Sequence, residues 1–388
     1  MHTFNFYVPT NVFFGRGVIE NLGSEVKKYA SRVLFCYGGG SIKRNGVYDA
    51  AVADLRKAGI SFFEHSGISP NPTLDEVRAG IKIARENRCE MILGVGGGSV
   101  IDCAKAISVG VANETDVWEL ILKPKTINVA LPVGAVLTMS ATGSEMDRFS
   151  VITKVDTKEK IGFGCPLTLP KFAIMDPTYT FTVPKNQTAA GIADIMSHAF
   201  ENYFSLNDGA YLQNRFTEGL LKTCIHYGPL ALNEPNNYEA RANLMWANSW
   251  AINGLLNSGK QTEWSVHPME HELSGYYDLT HGVGLAILTP RWMEYVLDET
   301  TVDVFVDYAE NVWDIRTGDK MQKAKAAIQK TFDFFASLEI PMHLKDVGIG
   351  EEHLEKMAEA TIRHEDGPIK GFKTLDVADV LAIYKKSL

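Results

Sequence analysis

Cysteine is scarce in this chain, with five among 388 residues. Cys36, Cys89, Cys103, Cys165 and Cys224 are scattered, odd in number and form no CxxC pair, which argues against a disulfide framework and a thiolate metal site. No Lys/Arg block is present and the formal net charge is −9, so a nucleic-acid surface is not expected. No apolar run is long enough to span a bilayer, and the opening "MHTFNFYVPTNVFFGRG" lacks a basic region leading into an apolar one. A soluble protein of a reducing cytoplasm is the expectation. Repeats and low-complexity segments are missing too. What is present is a globular composition, 45% hydrophobic and 22% charged, long enough for one large domain or two ordinary ones.

The first half alternates in period. "RVLFCY", "ISFFEH", "EMILGV" and "TINVALP" read as buried strands. Between them, "GVYDAAVADLRKAG", "TLDEVRAGIKIARENR" and "GGGSVIDCAKAISVGVA" read as helices. Strands alternating with helices imply a parallel sheet covered on both faces. "FSVITKVDTKEKIGF" adds a hairpin. Beyond "DPTYTFTVPKNQT" the pattern is helical, over 188–203, 211–232, 238–257, 262–273, 302–313 and 321–338. The boundary is set at residue 184. It separates an α/β domain (1–184) from an all-α domain (185–388).

Two glycine turns stand out in the first half. In "LGVGGGSVIDCAK" a strand delivers Gly96, Gly97, Gly98 and Ser99 to the start of a helix. Glycine admits close approach of a ligand, and helix N-terminal N–H groups attract anions. A phosphate site follows, although the GxGxxG fingerprint is not matched and a tight turn without a ligand would read the same. Asp102 is either a first-turn charge favoured by the helix dipole or a cofactor contact. The second turn, "YGGGSIKRNG", offers Gly38, Gly39, Gly40 and Ser41, then Lys43 and Arg44. A dinucleotide fold usually places a carboxylate near such a strand end to hold the ribose. None stands in this loop, and its cations suit a 2′-phosphate. That favours NADP(H) over NAD(H), against the alternative of a solvated loop.

In the second half, "GIADIMSHAFENYF" is mostly apolar yet carries Asp194 and His198 four residues apart, on one helical face. Alone, that is the pattern of a buried histidine bonded to an aspartate. Farther on, "WSVHPMEHELSGYYDLTHGVG" holds His267, His271 and His281, three of the chain's ten histidines. One carboxylate with three imidazoles suits Fe2+, Zn2+ or a similar ion. His267 and His271 are also four apart, and only one need be a ligand. Trp246, Trp250 and Trp264 are read as helical core or as a substrate wall.

Together with "FGRGVIENLG", "SPNPTLDEVRAG", "LTMSATGSEM", "KFAIMDP" and "EARANLMWANSWAINGLLNSG", these pieces resemble the iron-containing (group III) alcohol dehydrogenase family nearly end to end. The look is that of its NADP-using butanol dehydrogenase/aldehyde reductase branch. The resemblance implies a dehydroquinate synthase-like architecture of an α/β dinucleotide-binding domain and a helical metal-binding domain. It implies a metal on Asp194, His198, His267 and His281, with His271 unligated near the substrate. It puts the pyrophosphate on Gly97, Gly98 and Ser99 with Asp102 nearby. Thr138, Thr142 and Lys160 would touch the cofactor, and Gly38, Gly39, Ser41, Asn71 and Pro72 would surround the adenosine. A homodimer, paired through "FNFYVPTNVFFG", is also implied.

The reaction expected from this set is hydride transfer between NADP(H) and a small primary alcohol or aldehyde such as butanol or butanal. The metal would polarise the substrate oxygen, and His271 would relay the proton. A cleft between the two halves is the expected place for the pocket. The alternatives are a dehydroquinate synthase-like lyase, a glycerol dehydrogenase-like polyol oxidoreductase, a metal-dependent hydrolase and a nucleotide-binding module without chemistry. The lyase would need a basic pocket, whereas the residues around the histidines are apolar and aromatic.

Overall fold

The computed structural model describes residues 1–205 and 209–388. Its main sheet has six parallel strands in the order β1-β8-β5-β4-β2-β3. They are β1 (Asn11–Phe14), β2 (Arg32–Cys36), β3 (Ser61–His65), β4 (Met91–Gly96), β5 (Val133–Leu137) and β8 (Phe172–Met175). Strands β6 (Phe149–Lys154) and β7 (Glu159–Gly164) form the expected antiparallel hairpin. The helices here are α1 (Leu22–Val26), α2 (Ser41–Arg44), α3 (Val47–Lys57), α4 (Leu74–Glu86), α5 (Gly98–Ala112) and α6 (Val117–Leu122). Strand β4 is buried on every residue, and its side chains divide between two cores. Ile92 joins Leu34, Val77 and Ile107 on one face, while Leu93 and Val95 join Phe35, Ala51 and Leu55 on the other. Burial on both faces is why the parallel strands read as continuous apolar runs.

One expected strand is displaced. "TINVALP" begins with a 3-10 turn at Pro124–Thr126, and pairing starts only after Pro132, at β5. Gly134 is the reason that strand was hard to see. A Cβ there would lie 2.5 Å from the Phe172 ring, so the weak strand former is what the packing requires.

The remaining helices are α7 (Lys185–Tyr203), α8 (Tyr211–Asn233), α9 (Tyr238–Ile252), α10 (Val266–Tyr277), α11 (His281–Val296), α12 (Val302–Val312), α13 (Lys320–Ser337), α14 (Leu354–His364) and α15 (Val377–Lys386). A two-residue pair, β9 (Ile369–Lys370) and β10 (Thr374–Leu375), makes this part mostly rather than wholly helical. The chain forms two compact units. One is Tyr7–Val183 with Pro235–Asn253, and the other is Met1–Phe6, Pro184–Glu234 and Gly254–Leu388. A single cut at 184 therefore misses α9, which belongs with the α/β unit. Its Met245 is fully buried against Ile101, Ala135, Leu137 and Met175. For the same reason Trp246 and Trp250 are not helical-core residues: they meet edge to face at 5.4 Å on α9, and Trp246 meets Phe14 of β1 at 5.7 Å. No helix among the described residues is long and apolar enough to cross a membrane.

Candidate functional site

In the α/β unit, β4 and β2 are neighbours, with β3 beyond β2 and β5 on the other side of β4. The loops that follow these strands therefore lie side by side at the sheet's carboxyl edge, where open α/β sheets bind ligands. Gly38 and Gly39 follow β2, Ser41 opens α2, and Gly97, Gly98 and Ser99 join β4 to α5. Asn71 and Pro72 lie in the loop after β3, and Thr138 and Thr142 follow β5. One side-chain bond and one backbone bond hold the loop after β3. Ser99 Oγ donates to Pro70 O at 2.5 Å, and Thr153 N donates to Pro72 O at 2.8 Å. Lys160, buried on β7, sits opposite Thr153.

Two side chains here have more to do than the sequence indicated. Asp102 accepts Ser144 Oγ at 2.6 Å and Val151 N at 2.9 Å. Burial pushes its carboxyl up to about 6, and it fastens the segment after β5 to α5. Lys43 contacts Glu64 Oε2 at 3.4 Å, and its ammonium lies over the rings of Tyr37 and Tyr48. Glu64 also accepts both tyrosine hydroxyls at 2.6 Å, which holds its carboxyl below the usual range. A carboxylate therefore does stand beside this turn, contributed by β3 rather than by the loop itself.

In the helical unit, Asp194 and His198 project from α7, His267 and His271 lie on α10, and His281 is the first residue of α11. Asp194, His267 and His281 each offer one ligand atom, all within 4.8 Å of one another. His198 joins through Asp194, its Nδ1 lying 3.5 Å from Oδ1, and its ring stacks on His267 at 4.7 Å. Helix α11 reaches this point because residue 282 is glycine. A Cβ there would lie 2.0 Å from Ala190 O of α7.

Two carboxylates that the sequence reading passed over aim these imidazoles. Glu201 of α7 accepts Ser265 N, Val266 N and His267 N at 2.8–2.9 Å, and its Oε1 lies 3.1 Å from His267 Nδ1. It satisfies the buried amides at the start of α10, which have no acceptor within the helix, while fixing the ring. Glu270 Oε2 contacts His281 Nδ1, and its Oε1 accepts Ser274 Oγ at 2.5 Å. Gly284 makes room for it, since a Cβ there would lie 2.7 Å from Glu270 Cγ. A carboxylate on Nδ1 selects the tautomer whose Nε2 carries the lone pair. His267 Nε2 is buried with no hydrogen-bond partner among the described residues, and His281 Nε2 lies 3.9 Å from Asp194 Oδ1. Burial and the neighbouring imidazoles hold the His198 pKa well below its ordinary value, so His198 stands as a neutral donor beside Asp194. These residues fit a divalent ion.

A second grouping, Glu270, His271 and His281, also comes within 4.8 Å. There Glu270 already meets His281 and Ser274, so it reads as a support. His271 lies 5.7 Å from His281 ring to ring and is half-buried. Trp264 covers the site, 4.6 Å from His267 and 5.5 Å from His198. Glu201 was visible in the sequence as a carboxylate three residues after His198 in an apolar helix. Glu270, between His267 and His271 in the chain, gave no such signal.

Two family models match the chain. "Iron-containing alcohol dehydrogenase" covers residues 9–177, and "Fe-containing alcohol dehydrogenase family, C-terminal" covers 188–388. The chain is 54% identical to NADH-dependent butanol dehydrogenase A of Clostridium acetobutylicum, over all of both chains. It is 40% identical to the NADPH-dependent aldehyde reductase YqhD of Escherichia coli, over 90% of each. Among solved structures, NADH-dependent butanol dehydrogenase A of Thermotoga maritima superposes with a TM-score of 0.95 at 38% identity, covering 100% of this chain and 99% of that one.

Proposed function

Because this chain belongs to the iron-containing alcohol dehydrogenase family, we propose that it interconverts small primary alcohols and aldehydes, using a nicotinamide dinucleotide and one divalent metal ion. The observation that carries this reading is the buried His267, whose Nε2 has no hydrogen-bond partner among the described residues and which offers a ligand atom within 4.8 Å of those from Asp194 and His281. Asp194, His198, His267 and His281 would hold the ion, with Fe2+ or Zn2+ suited to such donors. When bound, the ion supplies a Lewis acid for the substrate oxygen, and the dinucleotide supplies or takes up the hydride.

The chain's residues prepare both. Glu201 and Glu270 keep the Nδ1 protons on His267 and His281, so each Nε2 stays a donor. The Trp264 ring shields His198 and His267 from water. His271, half-buried and beyond the ligand set, would exchange a proton between substrate and solvent. The backbone of Gly97–Ser99 would bind the pyrophosphate at the start of α5, and Thr138, Thr142 and Lys160 would border it. Strand β1 lies at the sheet edge and Phe14 is exposed, which supports pairing of two copies there.

The adenosine end allows two outcomes. Gly38, Gly39 and Ser41 bring no carboxylate, and Arg44 is exposed at the end of α2, which favours NADP(H). Glu64, already paired with Lys43, favours NAD(H), as does the name of the Clostridium relative. Absorbance at 340 nm, with butanal and each reduced cofactor, tests the whole reading. Oxidation that stops with a chelator and returns with Fe2+ or Zn2+ is the expected result. No oxidation of either cofactor across several aldehydes and both ions would sink it.

A further inference from the structure

Asn248 is a fully buried residue of α9. Its Oδ1 accepts two backbone N–H groups of one loop, Ala141 at 2.8 Å and Gly143 at 2.7 Å. Its Nδ2 donates to Glu145 Oε1 at 2.9 Å, and Ser249 Oγ donates to the same oxygen. Glu145 is also fully buried, and its Oε2 has no hydrogen-bond partner among the described residues. Gly143, at φ +69°, presses so closely on α9 that a Cβ would lie 2.7 Å from Asn248 O. An alternative position for this loop would leave two buried amides without an acceptor, a costly arrangement.

The same loop borders the glycine turn. A Cβ on Gly98 would lie 2.1 Å from Thr142 Oγ1, and one on Gly97 would lie 3.4 Å from Met139 Cβ. The next residue, Ser144, is bonded to Asp102 at 2.6 Å and to the buried Lys105 ammonium at 2.8 Å, both on α5. The segment is therefore gripped by α5 on one side and by α9 on the other. On the α9 side, both loop amides are held by one amide side chain more than a hundred residues away.

We infer that Asn248 is a positioning residue for the dinucleotide: its carbonyl oxygen fixes the Ala141–Gly143 amides and so sets Thr142 against the first turn of α5 before the cofactor arrives. The inference rests on the assignment of a dinucleotide to that edge. Preorganising a binding loop raises affinity by removing its ordering cost from the binding step. A residue that only stabilised the fold would lower the melting temperature and leave affinity alone.

The test measures NADH and NADPH dissociation constants by cofactor fluorescence on metal-loaded protein, below each variant's melting temperature. Asn248→Ala should weaken binding of the preferred cofactor at least about tenfold, with metal content unchanged. Asn248→Asp combined with Glu145→Gln keeps an acceptor for both amides and a donor opposite it in place of Nδ2, and should lose several-fold less. Hydrogen exchange over residues 139–146 of the wild type should show this loop protected without cofactor. Binding by Asn248→Ala within about twofold of wild type overturns the proposal. So do equal losses in the two variants, or fast exchange in the wild-type loop. Wild-type protein that binds neither dinucleotide overturns the functional reading as well, whereas normal wild-type binding with fast loop exchange overturns the clamp alone.

Discussion

At the carboxyl edge of the sheet, the candidate ligand groups are backbone amides of Gly97–Ser99, and what shapes them is missing side chains. In the helical unit, the candidate ligand groups are four side chains on three helices, and what shapes them is buried carboxylate. A backbone site needs space and a fixed loop, so the glycines carry the information. A side-chain site needs each ring turned the right way, so Glu201 and Glu270 carry it, with Gly282 and Gly284 admitting α11 to close range. The two sites should therefore fail differently.

The largest effect is expected at the metal cluster. His267→Ala removes the donor that Glu201 aims and leaves that carboxylate buried without its imidazole. Bound metal should fall below stoichiometric and turnover should drop to background, while dinucleotide affinity stays near that of the wild type. Metal analysis beside fluorescence titration checks this. Next is Gly98→Ala, whose Cβ would collide with the Thr142 side chain. It should keep its metal and lose about 100-fold or more in dinucleotide affinity. Loss of metal in Gly98→Ala, or of dinucleotide in His267→Ala, would break the proposed independence of the two sites.

The same contrast decides what was legible in the sequence. The glycine turn, Gly96 to Ser99, is four contiguous residues with a local cause, and Asp194 and His198 share a helical face by spacing alone. Strand–helix alternation gave the parallel sheet because both faces of β4 are buried. Other features depend on partners distant in the chain. Glu201 and Glu270 look like ordinary helix carboxylates until their imidazoles are seen. Glu64 joins the Gly38–Ser41 turn only because β3 lies beside β2. Helix α9 reads like its helical neighbours, yet Met245 and Asn248 place it with the sheet. Gly134 hides a strand because its value is the space it leaves for Phe172.

A smaller effect should follow from weakening an aiming carboxylate while keeping its shape. Glu201→Gln retains an acceptor for the α10 amides but puts a neutral group on His267 Nδ1. Losses of about 10- to 100-fold in metal affinity are expected, typical of such outer partners. Competition with a chromophoric chelator measures this. An unchanged affinity would mean that ring orientation, not charge, is what Glu201 provides.

The smallest effect on function, read in stability rather than in binding, tests the buried carboxylate on the other side of the comparison. Glu145 has no imidazole to charge against, and burial raises its carboxyl from the ordinary 4.5 to about 7. The native state thus holds a proton that the unfolded chain releases near pH 4.5. The linked stability is fully present below the unfolded value and is lost as pH rises through the folded one. The α/β unit should lose stability across roughly pH 4.5 to 7 and level off above it, by an amount on the order of 3 kcal/mol. Glu145→Gln has no proton to lose, so its melting temperature should gain on the wild type as pH rises from about 5 to 8. Asp102 titrates with a raised pKa in both proteins, so its slope cancels in the difference. A difference that stays flat with pH would show Glu145 already ionised in the folded protein, and its carboxylate would then resemble those under the histidines.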